Sequence, residues 1–234
     1  MAQVYGYDEQ DNDLRLFPSE ADWERQLTVS GIKRYLTGHL RNQLVRELPV
    51  AIEAFKKASA ETRVGTGFWG LVRMVLAPVS FLGALYRGND STDNAIEFLE
   101  EYVGRRQSRP AYLDLSALLF VMFRHGLIHT SMPKVVERDD GRIIGWGVTF
   151  NPADHLTKKS DTNSITLFLS PEQLYHDLVQ AIDSYVRDFD GPVQAQLVAA
   201  FKRGYLTMGT INRVSGLPLS TSARLRVTRS LNTL

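Results

Sequence analysis

AYLDLSALLFVMFRHGLIHTSMP, residues 111–133, is the stretch on which the reading of the fold turns. Tyr112, Leu115, Leu119, Met122 and Gly126 recur at helical spacing, and Leu118, Val121 and Ile128 widen the stripe until little of its surface can be wet. That is the pattern of a core helix. Arg124, His125 and His129 fall near its end, and a polar group buried there without a partner costs about 1–3 kcal/mol. The heptapeptide at 123–129 is therefore the first place to look for chemistry. Pro133 marks the helix end, and beyond it the apolar period changes from the helical one to two.

Upstream, residues 1–18 are polar and aperiodic and are expected to form an acidic mobile tail. Ser19, with Asp22 three residues on, can cap a short helix carrying Trp23. Ile32, Leu36, Leu40, Leu44 and Leu48 make an unbroken i, i+4 ladder, the apolar stripe of a long helix. Pro49 should kink or divide that helix, because it lacks an amide donor and collides with the preceding turn. From Phe68 to Tyr86 the pattern is apolar on most sides and predicts a central helix bent at Pro78. Its length is near the roughly 20 residues of a membrane span, but Arg73 and Pro78 inside it favour a buried helix and no membrane. Ser91 and Thr92 can cap the next helix, with Ile96, Leu99 and Val103 inward, and residues 104–110 form a basic connector.

Downstream, Ile144, Trp146, Val148 and Phe150 alternate as a half-buried strand does, and Asp140-Gly141 turns it back on Val135-Val136 as a hairpin. Residues 165–169 read as a third strand. Ser170-Pro171-Glu172-Gln173 then starts a helix with a Ser cap, Pro at the first position and Gln placed to return the hydrogen bond. Leu174, Leu178, Ile182, Tyr185 and Phe189 give that helix its buried face, and another follows through Leu197, Val198 and Phe201. From residue 207 Gly, Ser, Thr and Arg predominate, predicting a basic tail that is disordered or docked in extended form. The expected architecture is mainly α: one helical bundle over 19–206, with a small antiparallel β-sheet appendage after the motif helix at about 134–169.

The composition narrows the function. Among 234 residues, 44% are hydrophobic and none is cysteine, so thiol nucleophiles, disulfides and thiolate metal sites are excluded and a cytoplasmic location is expected. No signal peptide is visible at the N-terminus. A net charge of +1 argues against wholesale polyanion binding, but the charge is uneven. Residues 1–24 set seven acids against Arg15, whereas no acid follows Gly191 and Lys202, Arg203, Arg213, Arg224, Arg226 and Arg229 do. A nucleic-acid binder working through this basic arm is one alternative function. Nucleotide-binding Gly-rich loops, the His-Glu-x-x-His zinc motif and the Gly-x-Ser-x-Gly elbow are all missing. His125 and His129, four apart on one face, are half of a metal site whose third ligand could come only by residue type from His155, His176 or Asp154. No metal or cofactor is expected.

Arg124-His125-x-x-x-His129 resembles the Arg, polar residue, three residues, His signature of the HEPN superfamily, the all-α domains of prokaryotic toxin ribonucleases and many stand-alone proteins. Tyr86-Arg87-Gly88, residues 98–102 and residues 119–133 extend the similarity to uncharacterised bacterial HEPN-like proteins, over about residues 70–190. The resemblance implies either a non-catalytic binding or regulatory module for a nucleotide, RNA or protein, or a metal-independent endoribonuclease acting at a homodimer cleft. In the second case Arg124 would grip the phosphate, His129 would be the acid or base, and His125 a polar helper. In an ideal helix Arg124 and His129 lie about 140° apart, so they do not share a face. A plain structural role is open too, with Arg124 paired to Asp114, Glu100 or a helix C-terminus and His129 stabilising its own last turn. Trp69 and Trp146 read as core, His39 as solvated, and Asp154-His155 as a loop that is either an ordinary surface turn or closes over a site.

Overall fold

The computed structural model describes residues 3–62, 68–125, 134–209 and 220–231, and within them the side chains of Thr62, Phe68, Trp69, Arg124, His125, Arg229 and Leu231 are left aside. The protein is mainly helical, with two small sheets.

The N-terminus departs from expectation first. Instead of a mobile tail, β1 (Val4–Asp8) and β2 (Asp13–Phe17) pair as an antiparallel hairpin, Val4 opposite Phe17 and Asp8 opposite Asp13. Val4, Tyr7 and Phe17 are buried, which anchors it to the core. Its acids are spent locally: the buried Asp8 carboxylate accepts from the Gln10 amide (2.9 Å) and the Gln26 side chain (2.6 Å) and pairs with Arg15. Asn12 turns the chain at φ +54°, a conformation Asn tolerates, and accepts the Tyr7 hydroxyl at 2.6 Å. His39 is not solvated either, since its ring packs edge-on against Tyr7 and beside Tyr35.

The helices follow their local signals closely. Ser19 caps α1 (Glu20–Gln26) by accepting the Asp22 amide, and Trp23 from this helix is buried on the Tyr205 ring. Then α2 (Val29–Arg34) runs through a π-helical stretch (Tyr35–Arg41) into α3 (Asn42–Thr62). Ile32, Leu36, Leu44, Leu48 and Ile52 are buried along one side. Pro49 does not divide α3, because the stripe it interrupts is buried on both sides of it. Next comes α4 (Phe68–Arg87), where Leu71, Val72, Val75, Val79, Leu82 and Leu85 are fully enclosed. The segment Gly70–Arg87 is, among the described residues, one helix long and apolar enough to cross a bilayer, and half of it is buried in the fold. Ser91 caps α5 (Thr92–Leu99), which continues as π-helix over Glu100–Arg105. The motif helix is α6 (Ala111–Leu119), extended as π-helix over Phe120–His125.

The sheet after the motif helix is mixed rather than antiparallel. β3 (Val136–Glu137) pairs antiparallel with β4 (Ile143–Val148), as expected, and β5 (Lys158–Ser160) pairs antiparallel with β6 (Ser164–Leu169). Between them β4 and β6 run parallel, with Trp146 opposite Leu167. Residues 149–163 carry the chain back to the start of β4 before β6 begins, so the two strands advance together. Ile165, Leu167 and Leu169 face inward with Leu115 and Leu118 of α6 nearby. α7 (Pro171–Asp188) follows, capped by Ser170 with Pro171 at its first position, and then α8 (Gln194–Gly209). The basic C-terminal segment is not extended where it is described: α8 reaches into it, and α9 (Thr221–Leu231) is a helix whose Ala223 amide is capped by Ser220.

Candidate functional site

Of the residues singled out in the motif, Arg124 and His125 close the π-helical stretch, while their side chains and the whole of His129 lie outside the described residues. The neighbouring Phe120, Met122 and Phe123 are fully buried, and the Lys134 amide donates to the Met122 carbonyl at 2.8 Å, so the chain entering the sheet lies against the motif helix. The angle between Arg124 and His129 lies outside the described residues, since residues 126–129 do. The backbone up to His125 is π-helical, a rare geometry frequent at functional sites. Two other stretches here share it, so it does not single out the motif. Among the described residues no three His, Asp or Glu side chains gather as a metal would require.

The structure brings together a different set. A cavity of about 390 Å³ opens between the connector before α6 and the loop after β4, with Arg109, Tyr112, His155 and Gln173 among its walls. Its floor is polar and closed on itself. The Ser170 amide donates to His155 Nδ1 at 3.0 Å. An amide cannot accept, so Nδ1 is bare and the ring proton sits on Nε2. Nε2 in turn lies 2.8 Å from the Tyr112 hydroxyl and donates to it, and the hydroxyl donates to Asp177 Oδ2 at 2.8 Å. Asp177, with no exposure at all, also accepts from the Gln173 side chain (2.7 Å) and pairs with Arg109 Nε (2.8 Å).

The helix start explains this placement. Ser170 and Gln173 have the spacing of a capping box, yet only half of it forms: the Ser170 hydroxyl accepts the Gln173 amide at 3.3 Å. The return bond is given up, Gln173 reaching forward to Asp177 and the Ser170 amide reaching out to His155. His155 is thus tied to α7 and, through Tyr112, to α6.

Two non-glycine residues on the cavity wall hold left-handed backbone, Ser108 at φ +55° and Leu156 at φ +56°. Each costs about 1 kcal/mol, and such strain gathers at functional sites. Leu156 is buried, with its amide bonded to the Phe168 carbonyl at 2.8 Å, and its twist turns His155 inward.

Burial and the nearby Arg109 guanidinium push the His155 pKa down to about 3. Burial raises Asp177 above the usual carboxylate range, against the opposing bonds from Tyr112 and Gln173 and the charge of Arg109. The Tyr112 hydroxyl is pushed well up by the same burial and by the Asp177 charge. Because the folded His155 value lies below the roughly 6.5 of an unfolded chain, acidification protonates the unfolded state first. Its contribution to stability is complete above about pH 6.5 and is lost progressively toward pH 3. We therefore expect the melting temperature of the native protein to fall more steeply between about pH 6.5 and 4.5 than that of His155→Gln. Equal slopes in the two proteins would show that the folded ring takes up its proton freely.

Arg109 and Asp177 escaped the sequence reading, Tyr112 was read only as core and Gln173 only as a cap, and His155 was read as a loop residue or, by residue type alone, a metal ligand. One clue was present: Asp177 lies within the apolar stripe of α7, between Leu174 and Leu178 on a face that also buries Ala181 and Ser184. No family model, curated protein or solved structure gives a match to this chain.

Proposed function

We propose that the chain is a HEPN-like, non-catalytic binding module, and that the cavity beside Arg109 holds a small ligand of the nucleotide class. One observation carries this reading: the cavity is walled by a hydrogen-bond chain in which the His155 nitrogens and both Asp177 oxygens already hold partners. His155 Nδ1 is taken by Ser170, the His155 proton by Tyr112, and both Asp177 oxygens by Tyr112, Gln173 and Arg109. The His155 and Asp177 acceptors, the natural general bases of this wall, are thus engaged in holding it together, and a rigid wall suits recognition. Pro110, Ala111, Pro152, Ala153 and Leu156 offer apolar surface to a flat ring. The Arg109 guanidinium, 43% exposed and paired with Asp177 through Nε, offers charge to a phosphate. A volume of about 390 Å³ lies within the range of small-molecule sites. The cytoplasmic location and the homodimer belong to the same reading, the first supported by the absence of cysteine and the second by the resemblance alone.

Calorimetric titration of the full chain with the four ribonucleoside monophosphates, in EDTA, tests this. At least one should bind, and Ala153→Trp, which fills the cavity from an exposed loop, should weaken it at least about tenfold, the loss of roughly 1.4 kcal/mol. Arg109→Lys should weaken phosphate-bearing ligands more than the bare nucleoside. Absence of binding, or binding indifferent to Ala153→Trp, overturns the assignment. Cleavage of single-stranded RNA in EDTA that disappears in both Arg124→Ala and His129→Ala would instead establish the ribonuclease alternative.

A further inference from the structure

A second cavity, of about 410 Å³, lies where α4 ends, beside the π-helical stretch after α5, the end of α7 and the face of α8. It shares no lining residue with the first. Three guanidinium groups line it, from Arg87, Arg106 and Arg203, against two carboxylates, from Glu101 and Asp188. Three cations minus two anions leave one positive charge in excess.

The carboxylates are consumed within the wall. Arg106 binds Asp188 through both terminal nitrogens, at 3.2 and 2.9 Å, and Glu101 through Nε at 3.0 Å. Asp188 also accepts the Tyr102 hydroxyl at 3.0 Å, and Glu101 takes a second guanidinium from Arg105 at 3.0 Å. Arg106 is thereby a fixed part of the wall, and neither acid is left to repel an incoming anion. Arg87 lies over the Tyr86 ring, 4.3 Å from its centre, and takes its counter-ion, Glu97, from outside the cavity lining.

Arg203 is different. Among the described residues it has no ion pair, and it is exposed. It lies across Gly88, where a Cβ would stand only 2.9 Å from its Nε and 3.1 Å from a terminal nitrogen. Gly88 holds φ +92°, so the glycine serves twice: it allows the turn that ends α4 and leaves room for Arg203 beside Arg87. A guanidinium kept beside another, with no acid of its own, is arranged for an anion from solution.

We propose that this cavity is a second, independent binding site for a small dianion, gripped by Arg203 and Arg87, with Arg106 as the rigid wall. A phosphate monoester and a dicarboxylate present the same paired oxygens to guanidinium forks, and the volume leaves room for a small organic body behind the charge.

The test uses the full chain and two probes, phenyl phosphate and succinate, titrated by calorimetry at low ionic strength. At least one should bind, and Arg203→Gln should weaken it about tenfold or more while the melting temperature without ligand stays unchanged, since among the described residues the exposed Arg203 guanidinium makes no ion pair. Ala153→Trp, in the first cavity, should leave this binding intact. Preference for phenyl phosphate assigns the site to phosphate monoesters, and preference for succinate assigns it to dicarboxylates. Failure of both probes, equal affinity in Arg203→Gln, or loss of binding in Ala153→Trp overturns the proposal; the last would place the probe in the first cavity, beside Arg109, whereas the other two leave nucleotide binding there untouched.

Discussion

Asp177→Ala is expected to lower the unfolding free energy by about 3 kcal/mol, the scale on which breaking a buried, hydrogen-bonded charge pair acts. Asp177 is fully buried and holds three partners at 2.7–2.8 Å: the Tyr112 hydroxyl, the Gln173 amide and Arg109. Removing it does not hurt them equally. Arg109, 43% exposed, can turn to water, so the cost stays at the lower end of that scale. The Tyr112 hydroxyl is buried and loses its acceptor, a penalty of about 1–3 kcal/mol, and a cavity adds to it. For a chain of this size the melting temperature should drop by roughly 6–12 °C. Asp177→Asn keeps the shape and one acceptor oxygen but aims an amide at donors, and should cost about half as much. Urea denaturation with an unchanged slope would measure both. Hydrogen exchange adds a spatial readout: the Leu156 and Phe168 amides, bonded to Phe168 and Thr157 carbonyls, should exchange faster in Asp177→Ala, because His155 has lost its anchor. A loss below about 1 kcal/mol, or unchanged exchange at those amides, would mean the hydrogen-bond chain does not hold the loop.

What could be read from the sequence follows the range of the interactions involved. The buried ladder from Ile32 to Leu48, the enclosed α4 and the caps at Ser19, Ser91 and Ser170 all depend on residues a few positions apart, and each stands where the pattern put it. The N-terminal hairpin did not show itself because its acids look solvated in isolation. Asp8 is acceptable in the interior through the Gln10 amide, Arg15 and Gln26, the last eighteen positions away. The parallel pairing of β4 with β6 is likewise set by where the chain returns, which the alternation of Ile144, Trp146 and Val148 cannot tell. The helix α9 was missed because it is mostly exposed and rich in Arg, Ser and Thr, so no apolar stripe announced it. The cavity beside Arg109 is the extreme case. It draws on residues 108–112, 152–156 and 170–177, each ordinary alone, and its chemistry exists only once they meet. Conversely, the heptapeptide that looked exceptional opens on fully buried Phe123, just after fully buried Phe120 and Met122, so local oddity and pocket geometry point to opposite ends of the motif helix.

The second large effect concerns the helix on which the fold is built. Gly83→Ala should cost about 3 kcal/mol although it adds a single methyl group and raises helix propensity. At Gly83 a Cβ would stand 2.5 Å from both the Cα and the amide nitrogen of Ala95 in α5. One residue on, the Ala84 carbonyl oxygen would meet a Cβ on Gly204 of α8 at 2.1 Å. α4 is therefore clamped backbone to backbone on two sides, and no rotation of a side chain can relieve the contact. The helix must shift, loosening Val79, Leu82 and Leu85, all fully buried. Overpacking of this kind costs about 1–3 kcal/mol and occasionally more, against a propensity gain of at most about 1. The clamp on both faces blocks the easiest shift, which places the expected net loss at the upper end. Gly70→Ala supplies the control within the same helix. Its Cβ would meet only Phe55 Cζ at 3.9 Å, so propensity and a less flexible unfolded chain should act alone, stabilising by about 0.4–1 kcal/mol. Urea midpoints of the two variants should thus move in opposite directions. If Gly83→Ala is as harmless as Gly70→Ala, the three helices do not touch through their backbones.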